Sequence, residues 1–178
     1  MILAAAGRRI DATDAASPVF PYGNMAVVRA RLERLFREQE VSTVVCSAAC
    51  GADLVALEAA ETLGLRRRIV LPFAPDRFRE TSVVDRPGEW GEIFERMISA
   101  ARDTGQLVDL KLAETEESYG QVNQVILDET IGLAHSSGDR SAAALIWDGH
   151  SRGESDKTAS LGASARERGL ELFEVSTL

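Results

Sequence analysis

Short apolar runs alternate along this chain with longer stretches whose apolar residues recur every three or four positions. The first period marks buried strands and the second amphipathic helices. Ile2–Ala6 reads as a first strand, and Asp11–Gly23, with Pro18, Pro21 and Gly23, as a long loop. Asn24 is placed to cap a helix to about Gln39, with Met25, Val28, Leu32 and Leu35 on one face. Ser42–Cys46 is a β-branched strand, Asp53–Leu63 a helix closed by Gly64, and Arg68–Leu71 a third strand stopped by Pro72. The preceding Arg66-Arg67-Arg68 run reads as a solvated approach to that strand. A polar stretch from Ala74 to Glu89 holds at most a short helix around Arg77–Glu80. Trp90, Ile93, Phe94, Met97, Ile98 and Ala101 then form a core-facing helical stripe, which gives Trp90 a packing role. Gln106–Leu112 suits an exposed or edge strand. Tyr119–His135 is a helix, Ser141–Trp147 a strongly apolar strand, Thr158–Arg168 a helix capped near Asp156, and Leu170–Val175 the last strand.

Buried strands alternating with helices imply a parallel sheet covered on both faces. The expectation is a single α/β domain over residues 1–178, a Rossmann-like three-layer sandwich with a mostly parallel central sheet. No repeat, low-complexity tract or linker divides it. In such sheets ligands bind beyond the carboxyl ends of the strands, where the strand order reverses.

Composition narrows the function. The chain has 28 acidic and 20 basic residues, a formal net charge of −8. That balance argues against nucleic acid as a partner, which calls for a basic surface. No window approaches the ~20 apolar residues of a membrane span. The apolar start Met1–Ala6 is too short for a signal peptide, and Arg8-Arg9 follows it. The reading is cytoplasmic, without a membrane. Cys46 and Cys50 give neither a disulfide framework nor a zinc site; they are small buried thiols, or oxidant-responsive ones if the loop exposes them. His135 and His150 are not spaced as ligands, and no metal site is expected.

Four strand ends carry candidate chemistry. Gly7 permits a sharp exit from the first strand, after which Arg8 or Arg9 could pair with a phosphate or simply face solvent. Ser47-Ala48-Ala49-Cys50-Gly51-Ala52-Asp53 is a turn of small residues entering a helix, a layout that aims free amides at an anion. There Ser47 offers a hydroxyl and Gly51 a close backbone approach. Asp53 is a helix cap or a ribose ligand, and Glu58 an exposed helix residue or a carboxylate facing the site. Phe73, after the third strand, stacks on a base or packs in the core. At the fourth end, Asp148-Gly149 is a turn or a wall against ribose hydroxyls, and Gly153 leads to a second helix N-terminus at Asp156–Thr158.

Together these blocks, with Phe78, Ser82-Val83, and Tyr119 with Asn123, resemble the SLOG superfamily, which includes the DNA-processing Smf proteins and the LOG, or lysine-decarboxylase-like, proteins. The likeness leans to the signalling-associated members and runs through seven blocks in order. It implies a pocket for a nucleotide-derived ligand. Arg9, Ser47, Gly51 and Asp53 would line its phosphate side, Asp148 and Gly149 the other wall, and Tyr119 and Asn123 a polar helix face. Enzymatic LOG proteins carry Pro-Gly-Gly-x-Gly-Thr-x-x-Glu. Here the adjacent glycines are missing, and the glutamate position counted from Thr158 is Leu161. The nucleophile of the related nucleoside deoxyribosyltransferases is lost by the same count, and Glu154 stands before the helix. A leucine can neither attack an anomeric carbon nor stabilise an oxocarbenium ion.

The leading expectation is therefore a binding or sensing domain for a nucleotide-type small molecule. It requires no cofactor and lacks efficient catalysis; Ala48, Cys50 and Thr158 complete its candidate binding residues. The alternatives are an N-glycosidase or nucleotide hydrolase using Glu58, Asp53 or Asp148, a single-stranded DNA binder, and a protein-interaction module with a vestigial pocket. A homodimer through the helical face is compatible with the fold.

Overall fold

The computed structural model describes residues 1–178. Six strands form one sheet: β1 (Ile2–Gly7), β2 (Thr43–Cys46), β3 (Arg66–Leu71), β4 (Leu107–Asp109), β5 (Ser141–Trp147) and β6 (Glu171–Ser176). Their order is β4-β3-β2-β1-β5-β6, and every neighbouring pair is parallel. The helices are α1 (Met25–Glu38), α2 (Ala52–Thr62), α3 (Pro75–Ser82), α4 (Trp90–Asp103), α5 (Glu116–Ser137) and α6 (Lys157–Glu167). The chain is a Rossmann-like three-layer α/β sandwich, wholly rather than mostly parallel.

The period of two in β1 shows how the layers form. Leu3 and Ala5 point into a core of 34 buried residues that holds Val28, Leu32 and Phe36 of α1, most of α2, and the Trp90–Ala101 stripe of α4. Ile2 and Ala4 point the other way, into a core of 13 residues with Val122, Ile126 and Leu127 of α5 and Leu161 and Ala165 of α6. Alternate side chains of one strand thus serve opposite layers. Alanines fill β1 and β5 at their contact, where Ala4 and Ala5 sit beside Ala143 and Ala144. Because α1 lies on one face and α5 on the other, the strand order reverses between β1 and β5, and a crevice opens at their carboxyl ends.

Several local expectations are corrected. Arg66, Arg67 and Arg68 are strand residues. Arg67 donates to Glu61 of α2 (2.7 Å) and Arg68 to Glu129 of α5 (2.9 Å), one on each face. Their aliphatic stems cover the sheet while carboxylates meet the charge. Asn24 makes no side-chain cap to α1, because a short 3-10 turn at Tyr22–Asn24 leads in and its amide donates to the Thr177 carbonyl (2.9 Å). α3 runs a full eight residues, started by Pro75 at a first-turn position where a missing N–H costs nothing. β4 is a short edge strand. No helix is long and apolar enough to cross a membrane.

Candidate functional site

A cavity of about 340 Å³ lies at the carboxyl end of β1, between the β2–α2 loop, α3, α5 and the start of α6. Its floor is Ala5, Ala6 and Gly7. Small residues here leave room above the sheet; a Cβ on Gly7 would collide with the Ile146 backbone and with Ala52. The walls mix apolar Phe78, Val122 and Ile126 with polar Ser47, Asp53, Tyr119, Asn123, Lys157 and Thr158, and Arg9 stands at the edge. The sequence reading of Gly7, Arg9, Ser47, Asp53, Tyr119, Asn123 and Thr158 thus converges on one space. Ser82, of a block the sequence offers only for its resemblance, shares it, as do Thr81, Glu116 and Lys157, which sequence reasoning misses. Thr81, Glu116 and Lys157 lie on helices whose pocket-facing side shows no motif.

The remaining candidates lie elsewhere, and Arg8 is the clearest correction. Its side chain is 1% exposed. Nε donates to Asp148 Oδ1 (2.7 Å), Nη1 to both Asp156 oxygens (2.8 Å each), and Nη2 to the His150 carbonyl. Its guanidinium carbon also sits 5.4 Å from the centre of the Trp147 ring, a cation–π contact. Every nitrogen of the fork is engaged, so Arg8 is an internal tie and Asp148 its partner; neither faces the cavity. Glu58 is likewise taken, by Arg96 of α4 (3.2 Å), and does not line the cavity. Phe73 packs against Phe78 and Tyr119, with ring centres 6.0 and 6.2 Å away. Ala48 and Cys50 are fully buried off the cavity wall. Both cysteines are free and buried, and burial pushes both thiols up, against the opposing pull of Arg9 on Cys50. They are not oxidant-facing. Gly149, Gly153 and Glu154 belong to the open β5–α6 loop outside the cavity, and Leu161 lies in the α5–α6 core. A glutamate at position 161 would therefore meet apolar side chains.

At the two helix N-termini expected to cradle phosphate, the protein itself takes several of the amides. At α6 the Asp156 carboxylate accepts from Thr158 N (3.0 Å), Ala159 N (3.2 Å) and Arg152 N (2.8 Å). Burial alone would raise its pKa, but the Arg152 amide and the Arg8 guanidinium outweigh it and hold the carboxyl below its ordinary range. At α2, Ala52 N donates to the Arg8 carbonyl (3.0 Å) and Cys50 N to the Ser82 carbonyl (3.0 Å). Gly51 is required here for packing rather than for ligand approach. Its φ is +97°, and a Cβ would stand 2.5 Å from Ile10 N and 2.7 Å from the Arg8 oxygen.

Asp53 is not an N-cap, since Gly51 holds that position. It reaches back one turn to accept from Ala49 N (3.1 Å) and is 9% exposed on the cavity wall. Burial pushes its carboxyl up from 3.8 to about 7, against the lowering pull of the Ala49 amide and of Arg9. It is a buried acid group poised at neutral pH inside a polar-rimmed cavity.

No family model matches this chain, and no curated protein does. Among solved structures, the chain is similar to DNA processing protein A (DprA) from Streptococcus pneumoniae, at 16% identity and a TM-score of 0.44. The match covers 98% of this chain and 58% of that one, so the chain spans well under two thirds of the protein it resembles.

Two outcomes follow from this geometry. Replacing Arg8 by Met strands two carboxylates in the interior and should cost about 3–5 kcal/mol in chemical denaturation. Arg8→Lys should recover only part of that, because an ammonium cannot reproduce the fork. For Asp53, the folded state holds a proton between 3.8 and about 7 that the unfolded chain releases. The stability this group contributes is therefore complete below its unfolded pKa and lost as pH rises through the folded one. Wild-type stability measured relative to Asp53→Asn should fall by up to about 1.4 kcal/mol per pH unit across that window and level off above it. A difference that does not change with pH would show an ordinary carboxylate.

Proposed function

We propose that this chain binds a nucleotide-type small molecule at the carboxyl end of β1. The observation that carries this reading is the cavity at the reversal of strand order, lined by small residues below and by convergent hydroxyl, amide, carboxyl and guanidinium groups around its rim. Its volume falls in the range of small-ligand pockets. The apolar wall of Phe78, Val122 and Ile126 suits a base, and Ser47, Asn123 and Thr158 suit a sugar. Arg9 and Lys157 supply positive charge at the mouth. The resemblance of the sequence blocks to SLOG domains points the same way. The role is one of binding or sensing, and the leucine at position 161 supports it.

A thermal-shift scan tests this with AMP, ADP, NAD, ADP-ribose, cyclic nucleotides and cyclic dinucleotides. A true ligand at 100 times its Kd should stabilise the protein by about 2.7 kcal/mol, and Arg9→Ala should remove the shift. No shift from any of them would leave an interaction module with an unused pocket as the better reading.

Asp53 supports a second reading, hydrolysis of an N-glycosidic bond. A carboxyl held near pH 7 in a partly apolar cavity has the proton affinity that general acid–base work uses, and Glu116 lines the same space. Glu58 and Asp148, each in an ion pair away from the cavity, do not serve. Chromatography of a nucleotide incubated with the protein should then show free base, absent with Asp53→Asn. Intact nucleotide after many protein equivalents of time would leave binding alone.

A further inference from the structure

Beside the cavity runs a second, larger depression of about 830 Å³, formed by the segment after β1, the turn after α3 and the approach to α6. The two share Gly7, Arg9, Lys157 and Thr158, so they are continuous. The groove has a sign of its own on an acidic protein. Arg9, Arg86, Arg152 and Lys157 line it, and Arg8 lies beneath, already neutralised. Its two carboxylates are both committed to other groups. Asp156 is held by Arg8 and the α6 amides, and Asp11 accepts from Val19 N (3.0 Å) and Phe20 N (2.9 Å).

The arginines are under-used. Arg9 and Arg86 share a single counter-ion, Asp85, which lies off the groove wall. Arg9 pairs with it through Nη2, and Arg86 Nε stands 3.9 Å away, beyond hydrogen-bond reach. The Nε atoms of Arg9 and Arg86 are both buried and both without a hydrogen-bond partner. Buried donors left unsatisfied are costly, and planar guanidinium forks match phosphate oxygens in pairs. Most first-turn amides at this end are taken, those of α6 by Asp156 and Ala52 N of α2 by the Arg8 carbonyl, so an anion in the groove meets chiefly side-chain cations.

We infer that this groove is a subsite for a second phosphate, so that the ligand class is a nucleoside carrying a pyrophosphate or longer phosphate chain rather than a monophosphate. The inference rests on the nucleotide reading of the adjoining cavity. The nucleoside lies in the cavity, the first phosphate at Arg9 and Lys157, and the next runs into the groove toward Arg86 and Arg152. Asp85 is the internal carboxylate that the incoming phosphate replaces as partner of Arg9 and Arg86.

The test is calorimetric titration of the full chain with AMP, ADP and inorganic pyrophosphate, repeated with GMP and GDP, on wild type, Arg86→Gln and Arg152→Gln. Arg152 is exposed, so its variant keeps the test open should Arg86→Gln fail to fold. The diphosphate should bind at least about tenfold tighter than the monophosphate. Each substitution should erase most of that advantage while leaving monophosphate affinity unchanged, and Asp85→Asn should tighten diphosphate binding. Equal affinity for mono- and diphosphate, indifferent to both substitutions, overturns the subsite and leaves the nucleotide cavity standing. Binding of pyrophosphate alone, weakened by Arg152→Gln, with no nucleotide bound, keeps the groove and overturns the nucleotide reading. No binding of any probe overturns both.

Discussion

The buried guanidinium of Arg8 is the constraint on which this end of the molecule depends. It leaves β1 directly after Gly7 and is clamped by Asp148 at the end of β5 and by Asp156 at the start of α6. One side chain thus joins the two strands that flank the reversal of strand order to the helix that closes the crevice. A charge this deep is tolerable because each of its nitrogens has a partner and Trp147 covers one face. The same tie fixes the chain that follows. With Arg8 turned inward, Arg9 faces the cavity, and the Arg8 carbonyl is in place to receive the first amide of α2.

This arrangement explains why the anion chemistry differs from the expectation for glycine-rich loops ahead of helices. Such loops offer amides, but amides are available only while nothing else has taken them. Here Asp156 caps α6 and the Arg8 carbonyl takes the first amide of α2, so much of the positive end of each helix is spent on holding the loops in shape. Positive charge at the site is carried instead by long side chains from three separate segments. The loops give a rigid frame, and the arginines and Lys157 give what can respond to a ligand.

The sequence showed the architecture well because its signals were local. The apolar run Ser141–Trp147, the stripe from Trp90 to Ala101 and the aspartate three residues ahead of Ala159 each declare themselves over a few residues. Part of the site was also legible, since Gly7, Arg9, Ser47, Asp53, Tyr119, Asn123 and Thr158 do share a cavity wall. What stayed hidden was long-range. Nothing near Arg8 reveals that its partners lie 140 and 148 residues away, so two adjacent arginines look alike until the fold turns one inward. The Arg66–Arg68 run misled for a related reason: its carboxylate partners sit on helices of opposite layers. Glu58 looked available because Arg96, on α4, is close only in space. Thr81, Lys157 and Arg86 carry no motif at all and enter the site through the packing of the segments that hold them.

The placement of β1 at the centre of the sheet sets an order of assembly. Its two neighbours are β2, some forty residues on, and β5, whose Ser141 pairs with Ile2. As the chain leaves the ribosome, β1, β2, β3 and β4 can gather as a four-stranded sheet, but the β5 side of β1 stays an open edge until residue 147 has emerged. Long-range parallel pairing of this kind closes slowly, and an uncovered apolar edge is where nascent chains associate with one another. The alanines that let β1 and β5 meet so closely in the finished protein leave little apolar side-chain surface at that waiting edge, whose hazard is then its row of unpaired backbone N–H and C=O groups.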